Sequence, residues 1–203
     1  MTVKVKICGV TRTDDALAAM DCGADMIGIN FYASSPRAVS LERAREIREV
    51  VPDAHKLVGV FVNESREFVT ECLEAVQLDL LQFHGDEADS FLAGWPVPVI
   101  RALRLQTGER FDPSEHASSI YVLLDTFHPA LYGGTGAKRP LSDLRGVNLS
   151  RAFISGGLNS DNVREAVELS PYAVDVASGV EHSPGIKDHD KVRRFIRNAK
   201  SAR

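Results

Sequence analysis

The sequence predicts a (β/α)8 barrel, on three observations. Short apolar strands alternate with helix-period segments from one end of the chain to the other. About eight strand-plus-crossover units fit into 203 residues, and units of that kind close naturally into a barrel. Polar residues also recur at the C-terminal ends of strands whose bodies are apolar. An open doubly wound sheet has the same periodicity, so closure is an expectation. A single domain over residues 1–203 is expected, and 44% hydrophobic content suffices for one core.

The units run in order. Val3 to Cys8 alternates, with Val3, Val5 and Ile7 on one face and Lys4, Lys6 and Cys8 on the other. Thr11 or Thr13 is placed to cap a helix through Asp14 and Asp15 to Met20, ended by Cys22-Gly23. A strand over Met26 to Phe31, a loop to Val39 and a helix from Leu41 to Val50 follow. Next come a strand Lys56 to Val62, a helix Glu64 to Ala75, a strand Asp79 to Phe83, a short helix Glu87 to Leu92 and a strand Val97 to Leu103.

From Gln106 to Ser119 the pattern weakens around Gly108 and Pro113, so the fifth helix is expected to be short or absent. Ile120 to Asp125 reads as a strand, then a glycine-rich loop Tyr132 to Gly136 and a weak helix near Leu141 to Leu144. The last units are a strand Arg151 to Ser155, Gly156-Gly157, a helix Ser160 to Leu169, a strand Ala173 to Ala177 and a helix His189 to Ala199.

Composition narrows the function classes. A net charge of −4, with acids and bases interspersed, gives no basic face for nucleic acid, though a small anion remains allowed. No apolar run is long enough to cross a bilayer and the N-terminus has no signal-peptide core, so a cytoplasmic location is expected. Three cysteines, Cys8, Cys22 and Cys72, lack metal-ligand spacing and read as free thiols. No metal site is expected.

In a barrel, chemistry gathers at the C-terminal ends of the strands. Those ends carry Cys8, the Ser35-Pro36-Arg37 loop, Gln82 and His84, Asp125, Gly156-Gly157, and Asp175 running into Ser178-Gly179. Asp125 closes the apolar run Ile120 to Leu124, where a carboxylate is costly unless hydrogen bonded, exposed or used. The glycine turns after the seventh and eighth strands suit a phosphate held by backbone N–H groups. Arg37 could hold a carboxylate bidentately. Taken singly, each has a plainer role: Cys8 as a packed core thiol, His84 in a local hydrogen bond, the glycines as tight turns. Lys6, on the Cys8 face, could favour a Cys8 thiolate or pair with Asp175, and the sequence leaves both open.

Seven motifs together resemble the phosphoribosylanthranilate isomerase family. They are Lys6-Ile7-Cys8-Gly9-Val10-Thr11, Ser35-Pro36-Arg37, Val58 to Asn63, Leu81-Gln82-Phe83-His84-Gly85, Gly133-Gly134-Thr135-Gly136, Gly156-Gly157-Leu158, and Asp175 to Glu181. The resemblance implies an Amadori rearrangement of N-(5-phospho-β-D-ribosyl)anthranilate to 1-(2-carboxyphenylamino)-1-deoxyribulose 5-phosphate in tryptophan biosynthesis. It implies Asp125 as general acid and Cys8 as general base, with Arg37, Gln82, His84 and Asp175 at the substrate. It also implies Gly156, Gly157, Ser178 and Gly179 at the phosphate, and a monomer or homodimer. No redox or metal cofactor is required by an acid/base proton transfer between carbons. A thiol base needs its pKa, about 8.5 when free, brought toward neutrality, and Lys6 or a local dipole is expected to do this.

Two departures from the family pattern stand out. Ala137-Lys138-Arg139-Pro140-Leu141 replaces the usual aromatic and acidic pair after Gly136, and Ala177 stands where serine is common. Competing readings are an isomerase that also accepts the histidine-pathway substrate, and a non-catalytic phosphosugar-binding barrel. The retained Cys8 and Asp125 argue against the second.

Overall fold

Eight strands pair in sequence order, and the first pairs with the last, so the sheet closes: β1 (Lys4–Cys8), β2 (Met26–Asn30), β3 (Lys56–Phe61), β4 (Leu80–Phe83), β5 (Val99–Arg104), β6 (Tyr121–Asp125), β7 (Ala152–Ser155) and β8 (Ala173–Val176). All eight pairings are parallel, including β1 with β8 through Lys6 and Asp175. This computed structural model describes residues 2–104, 119–125 and 141–202. The weakened segment 105–118, the glycine-rich loop and the departure at Lys138-Arg139-Pro140 lie outside the described residues.

Strand parity divides the core in two. Val5, Ile7, Ile27, Ile29, Leu57, Phe61, Leu81, Val122, Leu124, Ile154 and Val174 face outward onto the helices. The opposite parity, Met26, Val58, Leu80, Ile100, Ala102, Leu123, Phe153 and Ala173, fills the barrel interior. Higher in the same interior the residue type changes to Cys8, Asn30, Gln82, Asp125, Ser155 and Asp175. The barrel is therefore apolar below and polar above.

Among the described residues six α-helices connect or follow the strands: α1 (Thr13–Asp21), α2 (Leu41–Val50), α3 (Arg66–Val76), α4 (Asp89–Leu92), α5 (Val163–Glu168) and α6 (His189–Ser201). Ser40 and Ser65 cap α2 and α3 by accepting hydrogen bonds from Arg43 N and Phe68 N, each at 3.2 Å. The expected threonine cap of α1 is absent: Arg12 holds that position, and Thr11 Oγ1 instead donates to Gly185 O at 2.6 Å. Where α4 is only one turn long, an aromatic cluster of Phe83, Phe91 and Trp95 fills the space. Arg66 stacks over Trp95 with its guanidinium 4.2 Å from the ring centroid.

Three further expectations are corrected. The helix expected from Ser160 begins at Val163, because Asn159 and Asn162 close a local turn first, with Asn159 N donating to Asn162 Oδ1 at 2.8 Å. The weak helix near Leu141 to Leu144 is one 3-10 turn. Between β8 and α6 the sequence pattern suggested no strand, yet a small hairpin forms from β9 (Glu181–Ser183) and β10 (Ile186–Lys187). Two strands this short carry no readable period.

Candidate active site

A cavity of about 260 Å³ opens at the C-terminal end of the barrel. Cys8, Arg37, Gln82, His84, Asp125, Gly156, Gly157, Asp175 and Ser178 all line it, nine of the ten residues singled out from the sequence. The tenth, Gly179, stands behind the wall: a side chain there would collide with the Leu158 carbonyl, so the turns after β7 and β8 press together at this point.

Cys8 points inward at the top of β1, on the face it shares with Lys6 as the alternation predicts. Its register partner Gly28 on β2 makes room, since a Cβ there would lie 2.9 Å from Cys8 Sγ and 3.1 Å from Lys6 Cε. Gly9 then turns the chain with φ +70°, and Arg37 lies across it, its Cδ 2.5 Å from where a Cβ would be.

Lys6 is fully buried, and of the two roles the sequence left open the pairing with Asp175 is the one realised. Its Nζ donates to Asp175 Oδ1 and to Gln82 Oε1, each at 2.9 Å. Burial works against the ammonium, but the Asp175 charge and the adjacent Cys8 outweigh it and hold the Lys6 pKa above its ordinary value. Cys8 itself goes the other way from expectation. Burial pushes its thiol up, Asp175 adds to this, and Lys6 only partly offsets it. The resting group is a thiol.

Lys6 also orients the opposite wall. An ammonium only donates, so Gln82 Oε1 is fixed as the acceptor and Gln82 Nε2 faces His84 Nδ1 at 3.3 Å. Nδ1 then accepts, which leaves Nε2 to carry a proton, 3.9 Å from Asp125 Oδ2. A polar chain thus runs from the neighbour of Cys8 to Asp125.

Arg37 is held more firmly than a solvated loop arginine. Ser35 Oγ accepts from Arg37 N and from Asn30 Nδ2, both at 3.1 Å, which folds the loop. Glu181 takes the guanidinium bidentately, Nε to Oε1 at 2.8 Å and Nη2 to Oε2 at 2.6 Å. The Glu181 hydrogen bond raises the Arg37 pKa; burial pushes Glu181 up, but Arg37 and Lys187 outweigh it and hold that carboxylate below its usual range.

Glu181 and Lys187 were not singled out from the sequence. Glu181 follows a buried valine at the end of the last motif, so the argument used for Asp125 could have found it. Lys187, in a two-residue strand, left no signal.

At the other side, Gly156 and Gly157 take φ of +88° and +63°. Asn162 Nδ2 donates to Gly157 O at 3.0 Å and braces the turn. Ser178 opens a 3-10 turn after β8. Adjacent turns of this kind can offer backbone N–H groups to an anion; because α5 starts at Val163, Gly156 and Gly157 belong to a turn and not to its first turn of helix.

The sequence model of the family described as N-(5'-phosphoribosyl)anthranilate (PRA) isomerase matches residues 5–198. The chain belongs to this family. It is accordingly an isomerase. An N-(5'-phosphoribosyl)anthranilate isomerase of Pseudomonas fluorescens is 50% identical over 198 residues, covering 96% of this chain and 97% of its own. The crystal structure of phosphoribosyl anthranilate isomerase from Thermotoga maritima superposes with a TM-score of 0.84 at 38% identity, covering 98% of this chain and 99% of that one. Another, solved in complex with reduced 1-(o-carboxyphenylamino)-1-deoxyribulose 5-phosphate, matches with a TM-score of 0.79 at 37% identity over 98% of this chain and 99% of that one.

Proposed function

We propose that this cavity carries out the Amadori rearrangement of N-(5'-phosphoribosyl)anthranilate in tryptophan biosynthesis, with Asp125 as general acid and Cys8 as general base. The observation that carries the reading is convergence: an acid, a base, a clamped guanidinium and two backbone turns line one cavity. Asp125 gives a proton to the ribose ring oxygen, the C1′–O bond breaks, and a protonated Schiff base forms. Cys8 as thiolate takes the C2′ proton, leaving an enolamine that tautomerises to the ketone.

The phosphate lies at Gly156, Gly157 and the Ser178-Gly179 turn. Arg37 takes the anthranilate carboxylate through the part of its fork that Glu181 leaves. Gln82, His84 and Asp175 line the sugar, and His84 Nε2–H faces the acid. Because burial keeps resting Cys8 protonated, the reacting thiolate is a minor form stabilised by Lys6 and by the cationic Schiff base that develops beside it. The reading calls on no metal or redox group.

Every residue used comes from one copy, so the site is compatible with a monomer or a homodimer. No helix among the described residues is long and apolar enough to cross a membrane, and the reading puts the enzyme in the cytoplasm. A steady-state assay with phosphoribosylanthranilate, run beside one with the histidine-pathway substrate, tests it. Turnover of the first alone is expected; turnover of both indicates a dual-substrate isomerase, and turnover of neither overturns the assignment.

A further inference from the structure

The geometry points to Lys187 as a positioning residue that locks the strand carrying Cys8, the turn after β8 and the Glu181–Arg37 clamp into one arrangement. It stands on β10, in the hairpin outside the eightfold barrel, with its side chain fully buried. Its Nζ donates to Cys8 O at 2.6 Å, to Glu181 Oε1 at 2.8 Å and to Ala177 O at 3.4 Å. Ala177 directly precedes the Ser178-Gly179 turn, and Glu181 grips Arg37 bidentately. One ammonium therefore touches the base strand, the phosphate turn and the carboxylate clamp. All three N–H donors have protein acceptors, so Lys187 acts through these groups and not on substrate.

The hairpin is itself tied down from behind. Lys187 N donates to Asp15 Oδ2 at 3.0 Å, and the buried Asp15 reaches His189 Nε2 through Oδ1 at 2.8 Å. Asp15 belongs to α1, the helix that follows the Cys8 strand. Burying a cation is unfavourable unless its neighbours compensate, and an apolar residue here would often fold as well. Retaining the cation is explained if its three contacts fix reacting parts relative to one another.

This inference rests on the reading of Cys8 as base and Arg37 as carboxylate clamp, and its test separates the two. The charged groups facing Cys8 are Lys6 from β1, Asp175 from β8, Lys187 from β10 and Arg37 from the loop after β2. Deleting Lys187 removes one of the cations that favour a thiolate there. Lys187→Met and Lys187→Arg in the full chain are assayed with phosphoribosylanthranilate across pH, beside Cys8→Ala. Lys187→Met is expected to lower kcat/KM about 10²-fold, through both kcat and KM, as misplacement of reacting groups does. It is also expected to move the rising limb of the pH profile to higher pH, whereas Lys187→Arg keeps that limb in place.

If Lys187→Met stays within about twofold of wild type in kcat, KM and pH profile while Cys8→Ala is inactive, the inference alone fails. A lower melting temperature with an unmoved limb also overturns it, since that is the signature of a merely structural tie. If Cys8→Ala turns over normally, the reading beneath it fails. Should Lys187→Met not fold, Glu181→Gln carries the test: the inference expects KM to rise more than kcat falls, and an unchanged KM overturns it.

Discussion

The two ends of the barrel use the same residue types for opposite ends. At the N-terminal end, Asp25 precedes β2 and Asp79 precedes β4, and each captures the backbone N–H near the start of the strand before, Val5 N and Leu57 N, both at 2.9 Å. Each also meets two cations at the rim, Lys4 and Lys200 for Asp25, Lys56 and Arg48 for Asp79. At the base of the apolar layer, Tyr121 and Tyr172 pack against Phe153, and Tyr121 Oη donates to Tyr172 Oη at 3.3 Å. At the C-terminal end, Asp175 and Glu181 instead face the buried ammoniums of Lys6 and Lys187. The lower carboxylates finish backbone hydrogen bonding near water. The upper ones hold cations out of water, where they align a cavity. One end should therefore answer to substitution in stability and the other in turnover.

The sharpest break of this contrast is at the acid and base. Cys8→Ala and Asp125→Asn are each expected to cost turnover on the order of 10²- to 10⁴-fold, with substrate binding by calorimetry and the melting temperature largely kept. Near-normal kcat in either removes the assignment. Because burial raises the Cys8 pKa and the base form is the thiolate, kcat/KM of the wild type should still be climbing at about pH 8.5, the ordinary thiol value. A profile flat from neutrality upward would mean that Cys8 is not the titrating base.

Asp175→Asn should blur the contrast, because it touches both stability and chemistry. It strips the charge partner from a fully buried Lys6, a loss of about 3–5 kcal/mol in urea unfolding by comparison with other broken buried pairs. It should lower activity as well, since Lys6 also orients Gln82.

Asp79→Ala and Asp25→Ala should each lower stability by about 1–3 kcal/mol, by leaving a strand N–H without its acceptor, with kcat unchanged. Burial alone would raise the Asp25 pKa, but Lys200, Lys4 and Val5 N–H outweigh it and lower it. Its contribution is fully present above about pH 4 and is lost as pH falls through the lower folded-state value. Acid titration of stability should be correspondingly shallower in Asp25→Asn. The smallest effect belongs to Ser40→Ala, about 1 kcal/mol from the lost cap of α2. A fall in kcat from any of these lower or outer changes would mean the two ends are coupled.

Much of this is legible in the sequence. The period-two pattern of Val3 to Cys8 put Cys8 on one face with Lys6, and Cys8 together with the polar ends of the other strands gave nine cavity residues, because strand parity and strand ends are local properties. The hairpin and Lys187 were illegible, since five strand residues carry no period. Arg37 was legible as a residue but not as a clamped one, because Glu181 lies 144 positions away.

The sequence by itself determined the alternation of strands and helices, the common face of Lys6 and Cys8, and the residues at the rim. These follow from spacing and side-chain type, which need no partner. Tertiary structure alone decided closure of β1 on β8, the sharing of Lys6 between Asp175 and Gln82, and the direction of the Cys8 pKa. Ionisation depends on burial and on charges from other strands and the loops between them, and only the closed barrel brings those together.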